Sequence, residues 1–271
     1  APSGVYRSQV AGVCNYLASI TNQDVKLIAL VSIRNFAESK AKIQSMYSNC
    51  KVIRMFPKHK NWKKNSFQLK RALKDKSAVV ITRGVFTNHL VRSIGGFKTV
   101  FDGRGSYAAE FSEYLGEGHS SDSVFDLEKA AVLESDFRLG VSNALVDYWK
   151  EEFGYDSNQH IVVPCTLNEI DFKISESLIV HAREKLGFSK SDVVLIYSGS
   201  IAGWQSKDLM DAFCDKILSA NANAHFVFMA QFDLNDFASY KKHGERVRQM
   251  WVAPDEVKNV LLAGDYGVMV R

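Results

Sequence analysis

Short apolar runs alternate with segments of helical period from one end of the chain to the other, and this alternation restricts the fold more than any other feature. Val25-Lys26-Leu27-Ile28-Ala29-Leu30-Val31, Val52-Ile53-Arg54-Met55-Phe56, Ala78-Val79-Val80-Ile81-Thr82, Val193-Val194-Leu195-Ile196-Tyr197 and Phe226-Val227-Phe228-Met229 are nearly continuous in apolar character. Such runs are strands of a parallel sheet buried on both faces. Weaker strands are predicted at 99–102, 138–142, 161–163, 247–252 and 266–270. Helices are predicted at 35–48, 66–75, 106–116, 122–134, 143–153, 175–186, 206–220, 233–242 and 255–263. Strands that alternate with helices this regularly require right-handed βαβ crossovers. The class is α/β, with two Rossmann-like domains built on parallel sheets. Periodicity lapses once, after Pro164, so the domains are expected at 1–165 and 166–271.

With 46% hydrophobic and 24% charged residues, the chain can bury two ordinary cores. Cys14, Cys50, Cys165 and Cys214 form no CxxC pair, and are expected to be small buried thiols in a reducing compartment. The seven histidines make no HxxxH or HExxH pattern, so no metal site is expected. No run approaches the roughly 20 apolar residues that span a bilayer. Ala1-Pro2-Ser3-Gly4 has no signal-peptide character. A cytoplasmic protein is expected, and one processed or cut from a longer product, since no initiator Met is present.

Charge is concentrated. Residues 51–76 hold ten Lys or Arg and one acid, Asp75, which leaves 24 bases against 29 acids elsewhere. Lys58, Lys60, Lys63 and Lys64 surround Trp62. Phe67, Leu69, Ala72 and Leu73 are expected on one helix with Lys70, Arg71, Lys74 and Lys76. Basic residues interleaved with aromatics suit an anionic membrane surface. The pattern also suits nucleic acid or a solvated helix face.

Ligands of open parallel sheets bind beyond the carboxyl ends of the strands. Residues at those ends are Arg83-Gly84, Asp102-Gly103-Arg104-Gly105 and Ser142-Asn143. In the second half Ser198-Gly199-Ser200-Ile201-Ala202-Gly203 leads into a helix, where backbone N–H groups and the dipole favour a phosphate; a plain turn is the alternative. Asp102 and Glu110 are the carboxylates nearest a strand end. Each is a candidate general base, and Asp102 is equally a candidate helix cap or partner of Arg104. His119, in a glycine-containing loop, is either a base presented at a cleft or a solvated side chain. Gly4 either admits a ligand close to the backbone or serves a turn.

The order of these features resembles the GT-B glycosyltransferases of family 4, or group 1. The resemblance runs over some 260 residues. It is carried by Val141-Ser142-Asn143-Ala144-Leu145, by Ile161-Val162-Val163-Pro164-Cys165 with Asp171-Phe172, and by Tyr197-Ser198-Gly199-Ser200. Phe101-Asp102-Gly103-Arg104-Gly105 with Glu110, and Val257 through Asp265-Tyr266-Gly267-Val268, complete it. The resemblance implies transfer of a sugar from a nucleotide-sugar to a glycan or lipid-linked acceptor, without a bound metal or other cofactor. Gly4, Gly199 and Ser200 would meet the donor diphosphate. Ser200 stands where the family carries Arg, and Lys207 is the nearest substitute for its phosphate-binding Lys. Asp102 would be the catalytic carboxylate, with Arg83, Arg104, Glu110 and His119 on the acceptor side. The 51–76 stretch would touch the inner face of the plasma membrane. The family's Glu pair would follow Arg271, so the second array is expected to be incomplete. A non-catalytic protein that binds nucleotides or sugars through the same two domains is the alternative, and a nucleic-acid partner is the least favoured reading.

Overall fold

The computed structural model describes residues 6–57, 59–114, 121–165, 174–199, 206–253 and 256–269, without the side chains of 59, 60, 112–114, 121 and 122. It divides into two compact units, Ala1–Glu169 and Ile170–Arg271.

In the first unit a π-helical turn, Arg7–Ala11, runs directly into α1 (Gly12–Ile20). There follow β1 (Leu27–Val31), α2 (Phe36–Met46), β2 (Cys50–Arg54), α3 (Asn65–Ala72), β3 (Val79–Arg83) and α4 (Val85–Ile94). Then come β4 (Lys98–Gly103), α5 (Tyr107–Tyr114), α6 (Ser121–Glu134), β5 (Phe137–Gly140), α7 (Asn143–Phe153) and β6 (His160–Val162). Every ladder is parallel. β1 pairs with β2, Leu27 opposite Cys50, and β3-β4-β5-β6 form a separate four-stranded ladder with Arg83 opposite Asp102. Strand periodicity sorts the side chains. Leu27 and Ala29 join Ala11, Ile43 and Tyr47 on one face, while Ile28 and Leu30 pack on the cluster of Ile53, Leu69, Leu90 and Val91. Phe101, Val132, Leu145, Trp149 and Phe153 form a third cluster over β4.

The second unit contains α8 (Glu176–Lys185), β7 (Val193–Ser198), α9 (Lys207–Ala220), β8 (Ala224–Met229), α10 (Ala238–His243), β9 (Val247–Gln249), α11 (Val257–Leu261) and β10 (Tyr266–Gly267). Its sheet has the order β10-β7-β8-β9, again parallel. Met210, Cys214 and Leu218 of α9 pack with Phe226, Phe228 and Phe237 on one face. Ala182 of α8 and Val260 of α11 cover Val194, Ile196 and Val227 on the other.

Several expected boundaries move. β2 occupies 50–54 rather than 52–56. α3 ends at Ala72, because Leu73 turns to an extended backbone, so Lys74 and Lys76 lie beyond the helix; the Lys76 ammonium is drawn to the Gly95 carbonyl and the Phe97 ring. The helix expected over 233–242 divides: Asp233 accepts from the Asn235 N–H and starts a 3-10 turn, Leu234–Asp236. α10 begins only where Asp211 accepts from the N–H groups of Ala238 and Ser239. The strand expected over 266–270 forms a ladder at two residues. Cys165 is exposed and not buried, and Cys14 and Cys50 are half-buried.

Candidate active site at the strand ends

Asp102 is the last-but-one residue of β4, and 9% of its side chain is exposed. A carboxylate this buried needs paired charge, and two guanidiniums supply it. Arg83, at the end of β3 in register with Asp102, donates from Nη1 to Oδ2 at 3.3 Å. Arg104 places Nε 2.8 Å from Oδ1, a charge contact whose angles fall short of a hydrogen bond. Arg83 also donates to the backbone and side-chain oxygens of Gln9. Arg104 Nη1 lies 3.7 Å from Cys165 Sγ, and Gln9 Nε2 lies 3.9 Å from the same sulfur. Five side chains from four separate segments thus close a ring over the carboxyl ends of β3, β4 and β6. Asp102 is a paired charge, the bland alternative for it, and its second partner, Arg83, came from a strand 19 residues away.

The next layer fixes this ring. A Cβ at Gly103 would fall 2.5 Å from Trp149 Cζ2, so only glycine lets the chain pass over that buried indole. A Cβ at Gly105 would fall 2.5 Å from Glu110 Oε1, which brings Glu110 against the same turn. Glu110 lies on α5, whose first turn is capped from another helix: Glu128 of α6 accepts from the Ala108 N–H at 2.8 Å. Glu128 is wholly buried, and among the described residues its Oε1 has no hydrogen-bond partner. Burial pushes its carboxyl up to about 7, against the opposing pull of the Ala108 and Tyr107 N–H groups and with a further push from Glu110. Burial likewise raises the Tyr107 phenol to about 12. Gln9, Cys165, Tyr107 and Glu128 were absent from the sequence-based site. Each acts through a contact across the fold, and only Cys165 lies in a quoted motif, where it was given no role.

Ser142, also at a strand end, is occupied as the N-cap of α7, accepting from the Leu145 N–H. Gly4, Lys58, His119 and Ser200 lie outside the described residues, as does the side chain of Lys60. Of the basic stretch, Lys63, Lys64, Lys70, Arg71 and Lys74 are exposed. Trp62 is not an exposed anchor. It is half-buried, edge-on to Phe86 and His89 at 5.1 Å. Phe67 is the exposed aromatic, with the Arg71 guanidinium 4.4 Å over its ring.

In the second unit the sheet order reverses between β7 and β10, which is where an open α/β sheet forms its crevice. Ser198 and Gly199 leave the carboxyl end of β7 at that point, and the Gly199 N–H still reaches the Met229 carbonyl at 3.4 Å. Lys207 begins α9, but its ammonium pairs with Asp236 at 3.2 Å and lies over Phe237. Asp265 sits at the opposite end of β7. It accepts from the Val194 N–H at 2.7 Å and pairs with buried Arg183 at 3.1 Å. Arg183 also gathers the carbonyls of Ala263, Ser189 and Asp192, and so ties α8 to the start of two strands. Among the described residues no group of His, Cys, Asp and Glu is arranged to hold a metal, and no helix is long and apolar enough to cross a membrane.

Neither a family model nor a curated protein sequence matches the chain. Solved structures do. The structure of Anabaena HepE in complex with UDP-glucose superposes with a TM-score of 0.68 at 13% identity, over 99% of this chain and 71% of HepE. A glycosyltransferase of Rickettsia africae gives 0.60 at 11% identity, over 92% of this chain and 73% of that one. A Listeria monocytogenes protein assigned as a UDP-N-acetylglucosamine 2-epimerase gives 0.62 at 8% identity, over 96% and 70%. Two successive units of parallel α/β structure that superpose in this way give the chain the GT-B fold, over 70–73% of the length of these proteins.

Proposed function

We propose that the chain is part of a glycosyltransferase that takes a nucleotide-sugar through its second unit and holds the acceptor at the Arg83–Asp102–Arg104 ring of its first. The observation that carries this reading is the position of Ser198-Gly199 at the switch point between β7 and β10. There the first turn of α9, whose Ser206 makes no side-chain cap, would offer its backbone N–H groups to a diphosphate. The likeness to HepE, solved with UDP-glucose, supports the donor class. The leaving diphosphate would be held by protein donors, with no metal required. The exposed bases around Phe67 would rest on anionic headgroups.

Isothermal titration and thermal shift with UDP, GDP and UDP-glucose test the donor site, with amide exchange locating it. Stabilisation of about 1 kcal/mol is expected with ligand near five times its Kd, together with protection at Ser198, Gly199 and the first turn of α9. Protection elsewhere, or no response to any nucleotide, would count against donor binding. Product analysis then divides the enzymatic readings. Free UDP with a glycosylated acceptor supports transfer, an epimerised nucleotide-sugar supports the chemistry assigned to the Listeria neighbour, and binding without turnover supports a non-catalytic role. Salt-sensitive flotation with anionic vesicles tests the membrane face.

A further inference from the structure

The ring of charges in the first unit carries an imbalance that its own members do not settle. A guanidinium has five N–H donors, and one withdrawn from water needs acceptors for them. Arg83 is well provided. It donates to the backbone and side-chain oxygens of Gln9 and to Asp102 Oδ2, and 29% of its side chain is still exposed. Arg104 is more deeply placed, at 17%. Its Nε is buried and, among the described residues, makes no hydrogen bond, although Asp102 Oδ1 lies 2.8 Å away. Its Nη1 has only Cys165 Sγ, at 3.7 Å, and a thiol sulfur is a weak acceptor. Among the described residues nothing accepts from Nη2. The more buried of the two guanidiniums is thus the one without an oxygen acceptor in hydrogen-bond geometry.

Charge points the same way. Asp102 turns one oxygen to each guanidinium, so two cations share one anion and a single positive charge is left over. With both carboxylate oxygens committed, the group that can meet a ligand is the fork of Arg104 and not Asp102. Such a fork matches a carboxylate or a phosphate through two parallel hydrogen bonds, which a lone hydroxyl cannot supply. Glu110 does not fill it. Its Oε1 rests against the turn at Gly105, 2.5 Å from where a Cβ would stand, yet neither guanidinium pairs with it. Glu110 is exposed, and its charge, held one residue from Arg104, opposes any anion bound at the fork.

We propose that Arg104, steadied by Asp102 and Arg83, is a specificity-determining residue that selects an acceptor bearing an oxyanion. This rests on the reading of the ring as the acceptor site. The oxyanion is the carboxylate of an acidic sugar or the phosphate of a lipid-linked acceptor, and either presents two oxygens to the fork. Binding gives Arg104 oxygen acceptors in place of the Cys165 sulfur, while Asp102 holds the guanidinium in position.

Nuclear magnetic resonance titration of the nitrogen-labelled chain tests this, with the side-chain Nε–H signals of Arg83 and Arg104 as reporters. Methyl glucuronide is compared with neutral methyl glucoside, and glycerol phosphate with glycerol. A charged probe is expected to move the Arg104 signal to saturation while its neutral counterpart leaves it unmoved, and the tighter of the two charged probes tells carboxylate from phosphate. Arg104→Gln is expected to weaken that probe about tenfold, as loss of one charge-assisted hydrogen bond implies. Glu110→Gln is expected to tighten it about twofold, as loss of one partly screened like charge implies. This second change is at an exposed side chain, so the test stays decisive where Arg104→Gln disturbs the turn. Equal responses to the charged and neutral members of each pair would overturn the oxyanion and leave the ring an acceptor site for neutral sugars. Weaker binding in Glu110→Gln would do the same, by making that carboxylate a contact of the ligand. Silence of both arginines toward every probe would overturn the acceptor reading as well.

Discussion

Gly103 shows how a single residue can govern the ring of charges above it. The chain must pass Trp149, which is wholly buried and has Phe101 and Tyr155 beside it at centroid distances of 6.0 and 6.3 Å. The indole therefore has no room to swing away. A methyl group added to Gly103 must displace the backbone, and Arg104, the next residue, moves with it. Gly103→Ala is expected to cost about 1–3 kcal/mol, the range for overpacking a filled core. Urea denaturation measures it. A variant as stable as the parent would mean that the strand end yields, and that its geometry is not imposed by the indole.

At the scale of elements, α5 is held by a group that belongs to α6. Glu128 is raised to about 7 by burial, from an ordinary 4.5. Below about pH 4.5 the folded and unfolded chains both hold this proton. Between about 4.5 and 7 the unfolded chain releases it first, so stability falls as pH rises; above about 7 the loss is complete. The shift corresponds to about 3 kcal/mol. Glu128→Gln keeps an acceptor for the Ala108 N–H and removes the titration. Denaturation at pH 5 and pH 7.5 is expected to show the parent losing more stability than the variant over that interval. Equal losses would mean that Glu128 does not titrate there. The same elements show what could be read in advance. α7 was legible because its boundaries are local: Ser142 caps it, Leu145, Val146, Trp149 and Phe153 give its buried stripe, and Gly154 ends it at φ 70°. Asp102, Arg83 and Arg104 were legible as strand-end residues. Their joining was not, because Gln9 meets Arg83 across 74 residues and Glu128 meets Ala108 across 20. Periodicity has no term for such contacts. The misplaced start of α10 has the same origin, since Asp211 on another helix decides it.

For the whole molecule, the pattern of alternation outlasts the residues that compose it. HepE shares 13% of positions and still superposes over 99% of this chain, because parallel strands buried on both faces require apolar character and not particular side chains. What the pattern also dictates is where cooperativity stops. Each of the five apolar clusters lies wholly inside one unit: three in the first and two in the second. Phe228 is the best place to test this, being fully buried in the second unit between Phe226 at 4.6 Å and Phe237 at 5.1 Å. Phe228→Ala is expected to cost about 3–5 kcal/mol. If the cores are separate cooperative units, that loss falls on one of them. Amide exchange should then accelerate in β7, β8 and α9 and remain unchanged around Phe101 and Trp149. A single unfolding transition that moves as a whole, with exchange accelerated equally in both units, would mean that the two arrays fold as one and that the division of the core is only geometric.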